Sequence, residues 1–177
     1  MTDVLRAIGN TSLVRLMKVV PPNSADVFVK LEWQNPTGSM KDRMAQAVIS
    51  KPEADGRLKP GYTIVEGTGG STGASLALIC AVKGYRIKLV TSDAFSREKL
   101  DQMRAFGAEL TMVPSEGGRT TKKLILEMVE TARPERGRKS DGAAPRVKRS
   151  CSAGRRREPT SSPRFASPSS LVRVPLW

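Results

Sequence analysis

Histidine is absent from this chain of 177 residues, and it contains only two cysteines, Cys80 and Cys151. Without histidine, neither imidazole acid–base chemistry nor a histidine metal site is available. The two cysteines are far apart and match no metal-binding spacing. Cys80 lies within an apolar helical run, so we expect it to behave as a small core residue.

A signal peptide and long apolar runs are missing as well. No stretch approaches the roughly 20 apolar residues that a membrane-spanning helix requires. Together with the scarce, unpatterned cysteines, this predicts a soluble protein in a reducing, cytoplasmic setting without membrane contact. Hydrophobic residues make up 38% of the chain and aromatics only 5%, but these averages combine two unlike parts.

Positive charge is concentrated towards the C-terminal end. Residues 134–177 contain 11 Lys+Arg and three Asp+Glu, whereas residues 1–133 contain 19 and 14. Nine Arg, eight Ser and six Pro fill much of 134–177, and its apolar residues follow no period. Such a segment buries too little surface to offset its ordering entropy. We therefore predict one α/β domain over residues 1–133, followed by a disordered tail.

The tail has two other interpretations. Arg155, Arg156 and Arg157 suit a basic arm for nucleic acid or an acidic membrane. Only Phe165 and Trp177 supply aromatic rings there, so we do not expect a nucleic-acid partner. The abrupt change in composition also resembles out-of-frame coding sequence, and this is the hypothesis that we favour.

Residues before the tail alternate between short apolar strands and helices. The pattern predicts strands over 27–33, 62–66, 86–91 and 109–114, and helices over 40–51, 74–83, 96–106 and 120–131. On the last helix, Leu124, Ile125 and Met128 are predicted to share one buried face. Helical connections through short glycine turns indicate a three-layer α/β fold, a parallel sheet with helices on both faces. The carboxyl ends of its strands then meet at one edge.

The stretch Asn35 to Arg43, reading NPTGSMKDR, combines a turn with a helix start. Ser39 is predicted to cap the helix and Asp42, three residues on, to complete a capping box. Lys41 then falls in the first helical turn, where the helix dipole disfavours a cation and so favours the neutral, nucleophilic amine. The alternative is an ordinary surface lysine that follows a cap.

A glycine-rich turn, GTGGSTG from Gly67 to Gly73, lies between a predicted strand and a predicted helix. Backbone N–H groups converge on an anion at such a position, and Thr68, Ser71 and Thr72 add hydroxyl donors. The turn lacks the lysine of a P-loop and the glycine spacing of a dinucleotide fingerprint. It therefore predicts a carboxylate or phosphate site, the alternative being a tight turn that uses glycine for packing alone.

These two motifs, in this order, resemble the cysteine synthase/cystathionine β-synthase family of fold type II pyridoxal-phosphate enzymes. The stretches IGNTSLVRL, LKPGYTIVE, AVKGYRIKLV and REKLDQMRAFGAELTMVPSEGG extend the resemblance, which covers about residues 4 to 131. The resemblance implies pyridoxal 5'-phosphate as cofactor and an amino-acid substrate. It also implies a fold that corresponds mainly to the family's smaller domain, and family members are often homodimers.

By this resemblance, Lys41 forms the Schiff base with pyridoxal phosphate and later removes the substrate's Cα proton. The reaction implied is β-replacement on an O-activated serine, in which sulfide or a thiol adds to an aminoacrylate. Elimination of the serine/threonine dehydratase kind shares that intermediate and remains an alternative. Thr68, Gly69, Gly70, Ser71 and Thr72 match the loop that receives the substrate carboxylate.

Two positions in this loop depart from the family pattern. Ser71 stands where the family usually has the Asn that hydrogen-bonds the cofactor's ring oxygen, and Gly69 replaces a usual serine. The family's larger domain also supplies a glycine-rich phosphate loop and a Ser or Thr that faces the pyridine nitrogen, and neither has a counterpart after Arg133. The sequence thus predicts a truncated enzyme with weak or lost activity, or a non-catalytic remnant.

Overall fold

The computed structural model describes residues 3–133 together with the backbone of Leu171–Val172. Four α-helices and six strands are present in these residues, with short 3-10 helices at Val4–Ala7 and Glu32–Gln34. In chain order the elements are β1 (Leu13–Arg15), β2 (Phe28–Lys30), α1 (Lys41–Ala54), β3 (Thr63–Gly67), α2 (Ser71–Lys83), β4 (Arg86–Ser92), α3 (Arg97–Ala105), β5 (Glu109–Val113), α4 (Lys122–Thr131) and β6 (Leu171–Val172).

The main sheet has the strand order β5-β4-β3-β6, and every neighbouring pair in it is parallel. The register places Ile64 opposite Ile87 and Leu89 opposite Leu110. Parallel strands need a crossover between them, and α2 and α3 provide the connections from β3 to β4 and from β4 to β5. The predicted α/β fold with a parallel sheet is therefore confirmed.

Helices cover both faces of this sheet. Successive residues of a strand point to opposite faces, and in β4 Leu89 joins one hydrophobic cluster while Val90 joins another. The first cluster lies with α1, α2 and α3 and includes the fully buried Ile49, Ile79 and Met103. The second lies with α4 and contains Val90, Val113, Leu124, Met128 and Ala132.

The structure differs from the sequence prediction in the extent of α1 and β2 and in the exposure of one residue of α4. Helix α1 continues through Pro52 to Ala54, because a proline so near the helix end removes only one backbone hydrogen bond and its ring is buried. The strand predicted over 27–33 is confined to Phe28–Lys30, and Glu32–Gln34 turns into a 3-10 helix. Ile125 was predicted on the buried face of the last helix, but it is 41% exposed.

The tail prediction falls almost entirely on residues 134–170 and 173–177, which lie outside the described residues. Leu171–Val172 differs from the predicted disorder, since it forms the short strand β6 beside Thr63 and Ile64 of β3. The edge of β3 offers unpaired N–H and C=O groups there, which favour pairing with any extended backbone. Cys80 is fully buried as predicted, and burial raises the pKa of its thiol to about 12.

An ion-paired cluster joins the N-terminal segment, residues 3–35, to the start of α1. Both Nε and Nη2 of Arg43 donate to the Glu32 carboxylate at 3.0 Å. The Thr11 hydroxyl and the Asn35 amide donate to the same carboxylate at 2.8 and 2.9 Å. The Arg43 hydrogen bond is the main cause that lowers the pKa of Glu32 to about 2.

This cluster predicts a loss of stability in acid. A carboxylate whose pKa falls from 4.5 to about 2 on folding stabilises the fold fully above pH 4.5, and this contribution disappears as the pH falls towards 2. In Glu32→Gln the free energy of unfolding should therefore fall less between these pH values than it does in the wild type. Urea unfolding at about pH 6 and about pH 3 measures it.

The matched control is Glu98→Gln, because the Glu98 side chain is 82% exposed and, among the described residues, forms an ion pair only with its neighbour Lys99. This variant should follow the wild type at both pH values. Equal losses in Glu32→Gln and the wild type between the two pH values would contradict the role of the Glu32–Arg43 pair.

Candidate functional site

Lys41 is the first residue of α1, as predicted, and it is half-buried. Within residues 3–133, its side chain forms no hydrogen bond and no ion pair. Other lysines of the domain are engaged: Lys83 pairs with Glu53 at 2.6 Å and Lys88 with Glu109 at 2.9 Å. An ordinary surface lysine is expected to be either well exposed or paired. Lys41 is neither within the described residues, so its amine is available for chemistry.

The predicted capping box is wrong. Ser39 Oγ accepts a hydrogen bond from the Lys41 N–H at 3.2 Å, but among the described residues the Asp42 carboxylate accepts none from the Ser39 N–H. The Asp42 carboxylate instead accepts from Thr37, at 2.8 Å from its N–H and at 2.5 Å from its hydroxyl. The reason is competition: Thr37 lies on the same loop and offers two donors to a carboxylate that is fully buried.

Asp42 also connects α1 to α2. The Ser75 hydroxyl donates to Asp42 Oδ1 at 2.5 Å and lies 3.2 Å from the Thr37 hydroxyl. All three side chains are buried, with exposures of 5% for Thr37 and 0% for Asp42 and Ser75. Ser75 lies about one turn inside α2. This cluster, here called the Asp42 cluster, therefore ties the helix start that carries Lys41 to the helix that begins at the glycine turn.

The glycine turn follows β3 directly, and α2 begins earlier than predicted, at Ser71 rather than Ala74. The N–H groups of Ser71 and Thr72 have no intrahelical acceptor, because the residues four positions earlier precede the helix. Gly70 at the N-cap has no side chain to satisfy them. These donors point to an anion at the start of α2.

Three hydroxyls of the turn supplement these backbone donors. In the described part of the chain, the side chains of Thr68, Ser71 and Thr72 make no hydrogen bond. Ser71 and Thr72 are half-buried, and Thr68 is 9% exposed. The predicted carboxylate-binding residues are thus held at one sheet edge, with their hydroxyls free to donate.

The glycines of this turn divide into two groups. A Cβ at Gly67 would lie 3.2 Å from the Met128 carbonyl oxygen, and one at Gly73 would lie 2.6 Å from Met103 Cε. One at Gly70 would meet nothing within 4 Å. Packing explains Gly67 and Gly73, whereas Gly70 borders open space in which a ligand's oxygens can approach the backbone.

These residues fit part of what pyridoxal phosphate requires. Lys41 offers an unpaired amine, and the turn offers donors for a carboxylate or a ring oxygen. A second glycine-rich loop for the cofactor phosphate does not occur between residues 3 and 133. In the same range, no helix is long and apolar enough to cross a membrane, and no group of His, Cys, Asp or Glu is arranged to hold a metal ion.

Thr37 and Ser75 were not identified from the sequence. The available signal was Ser75 itself, a hydroxyl inside the otherwise apolar helix from Ala74 to Lys83, where it must be buried and must find a partner. Nothing in the sequence pointed to Thr37, since its bond to Asp42 depends on how the loop folds back on the helix.

Comparison with known proteins agrees with this geometry. The family model described as "Pyridoxal-phosphate dependent enzyme" matches residues 4–166. A cysteine synthase of Staphylococcus aureus (strain Mu50) is 46% identical over 129 residues, which cover 72% of this chain and 42% of that protein. Cysteine synthase B of Escherichia coli (strain K12) is 46% identical over 129 residues, covering 72% and 43%.

Solved structures give the same result. The crystal structure of O-ureido-L-serine synthase is similar with a TM-score of 0.65 and 42% identity, over 75% of this chain and 41% of that one. A hydrogen sulfide-producing enzyme from Fusobacterium nucleatum gives a TM-score of 0.64 and 37% identity, over 74% and 41%. The chain spans less than half the length of these relatives. Since the family model matches most of its residues, the chain belongs to the family of pyridoxal-phosphate dependent enzymes.

Proposed function

We propose that this chain binds pyridoxal phosphate through Lys41 and acts as a cysteine synthase-like enzyme, replacing the β-substituent of an O-activated serine with sulfide or a thiol. The observation that carries the proposal is the Asp42 cluster. It fixes the start of α1 against α2, whose start presents the donors of the glycine turn, and within residues 3–133 the Lys41 amine at that start of α1 is unpaired.

Each residue then has a defined task. The N–H groups of Gly69 to Thr72 and the hydroxyls of Thr68 and Thr72 bind the substrate's α-carboxylate and so orient its Cα towards Lys41. Lys41 Nζ would hold the cofactor, and its amine would accept the substrate's Cα proton as general base. Pyridoxal phosphate, when bound, supplies the electron sink for the resulting carbanion. The Ser71 hydroxyl would donate a hydrogen bond to the cofactor's ring oxygen.

A second candidate is a family member without turnover, or one that performs β-elimination only. The glycine turn is not repeated between residues 3 and 133, so contacts to the cofactor phosphate, which contribute strongly to binding, would have to come from other residues. Consumption of O-acetyl-L-serine with and without sulfide separates the three possibilities. Formation of cysteine supports replacement, and sulfide-independent formation of pyruvate supports elimination. The absence of both products supports a non-catalytic chain.

A homodimer and a cytoplasmic location stay predictions.

The first prediction concerns cofactor attachment at Lys41. Incubation of the purified chain with pyridoxal phosphate, followed by borohydride reduction, should leave one pyridoxyl group on the peptide that contains Lys41. Lys41→Ala should remove both this adduct and the visible absorbance of the bound cofactor. Mass spectrometry of the digested protein locates the adduct.

The control for this experiment is Lys51→Ala, which removes an exposed lysine from the same helix. It should be labelled at Lys41 as efficiently as the wild type. Equal labelling of the wild type and Lys41→Ala would exclude Lys41 as the cofactor lysine.

The second prediction concerns the Asp42 cluster. Ser75→Ala removes one of the hydrogen bonds to the buried carboxylate and should lower the free energy of unfolding by about 1 kcal/mol. Because the start of α1 then loses its tie to α2, labelling of Lys41 by pyridoxal phosphate should also fall. Both quantities are measured at a temperature where each variant remains folded.

Ser50→Ala is the matched control, since Ser50 lies in α1 and its side chain makes no hydrogen bond within the described residues. It should change neither stability nor labelling. If Ser75→Ala loses stability but is labelled like the wild type, the cluster is structural and does not position Lys41.

A further inference from the structure

The ring of Phe95 lies directly on the glycine turn. Phe95 belongs to the loop between β4 and α3, and its side chain is half-buried. A Cβ added at Gly69 would lie 2.0 Å from Cζ, 2.1 Å from Cε1 and 2.4 Å from Cε2 of this ring. The tip of the ring therefore fills the space that a side chain at position 69 would occupy.

The position of the Phe95 ring is fixed by packing against the core and by hydrogen bonds within its loop. Phe95 packs against the second hydrophobic cluster, the one formed with α4. Its N–H donates to the Ser92 carbonyl at 3.3 Å, and Ser92 Oγ accepts from the Ala94 N–H at 3.2 Å. Asp93 in the same loop accepts from the Ser115 N–H at 2.8 Å, which ties the loop to the segment after β5.

The ring divides the surroundings of the turn into a polar and an apolar side. On the polar side are the open space at Gly70 and the first N–H groups of α2. On the other side Phe95 covers Gly69 with carbon. An anion oxygen that faces this ring would lose water without gaining a hydrogen bond.

We propose that Phe95 is a specificity-determining residue of the anion site: its ring restricts the turn to the flat carboxylate of an amino acid and disfavours tetrahedral anions. A carboxylate places both oxygens in one plane and can direct them to the polar side. Phosphate has oxygens out of that plane, so at least one must face the ring. The inference rests on the proposed function in one respect, that the turn receives a carboxylate.

The test compares two probes on the purified chain without cofactor, O-acetyl-L-serine and inorganic phosphate, by isothermal titration calorimetry. The wild type should prefer O-acetyl-L-serine. In Phe95→Ala the ratio of the phosphate dissociation constant to the O-acetyl-L-serine dissociation constant should fall about tenfold, mainly because phosphate binds more tightly. Phe95→Leu keeps an apolar side chain on the α4 cluster but does not reach Gly69, so it should shift the preference in the same direction.

Phe106→Ala is the matched control, because it removes a partly buried ring from the first hydrophobic cluster instead. It should leave the preference unchanged. An equal shift in Phe106→Ala would attribute the effect to general loosening and overturn the proposal. An unchanged ratio in both Phe95 variants, or no binding of either probe to any of these proteins, would overturn it as well. Labelling of Lys41 is measured separately, so either proposal can fail alone.

A double variant tests the contact itself. Gly69→Ala should lower the melting temperature, because the added Cβ collides with the ring. Gly70→Ala adds the same atom one residue later, where nothing lies within 4 Å, and should not lower it. In the Phe95→Ala background, adding Gly69→Ala should no longer lower the melting temperature. If the two substitutions act additively on stability, the ring does not occupy the space at Gly69.

Discussion

The buried carboxylate of Asp42 is the interaction on which the arrangement of this site depends. An ionised group in the interior is costly unless it is fully hydrogen-bonded. Here the Thr37 N–H, the Thr37 hydroxyl and the Ser75 hydroxyl satisfy it. These donors come from the loop before α1 and from α2, so the carboxylate is satisfied only when both elements are in place. The stability of one buried group is thereby coupled to the geometry of the site.

Lys41 benefits from this coupling without taking part in it. Neighbouring helical residues point about 100° apart, so Asp42 and Arg43 can be bound in different directions while Lys41 points elsewhere. Asp42 is fixed to α2, and Arg43 is fixed to the N-terminal segment through Glu32. The backbone of Lys41 is therefore held between two anchored neighbours while its amine stays unpaired among the described residues. A lysine that attaches a cofactor needs this combination, because an ion pair would engage its amine elsewhere.

The sequence predicted the parts of this fold that depend on local pattern. The predicted bounds of β3, β4, β5 and the helices that follow them were correct to within a few residues. The place of Lys41 at a helix start was also correct. The parts that depend on tertiary contacts were missed. A capping box for Ser39 and Asp42 follows from spacing, but spacing does not reveal that Thr37 competes for the same carboxylate. The tail's composition likewise gave no indication that Leu171–Val172 would pair with the edge of β3.

The glycine turn shows why packing and binding are not competing explanations of such a motif. The Met128 carbonyl and the Met103 side chain lie close to Gly67 and Gly73, and the Phe95 ring lies close to Gly69, so a side chain at these positions would displace its neighbour. These contacts fix the path of the turn on the side facing the protein. The same path leaves open space at Gly70, next to the first N–H groups of α2. The packing glycines are thus what makes the remaining glycine usable for a ligand, and a ring in contact with one of them necessarily shapes the site beside it.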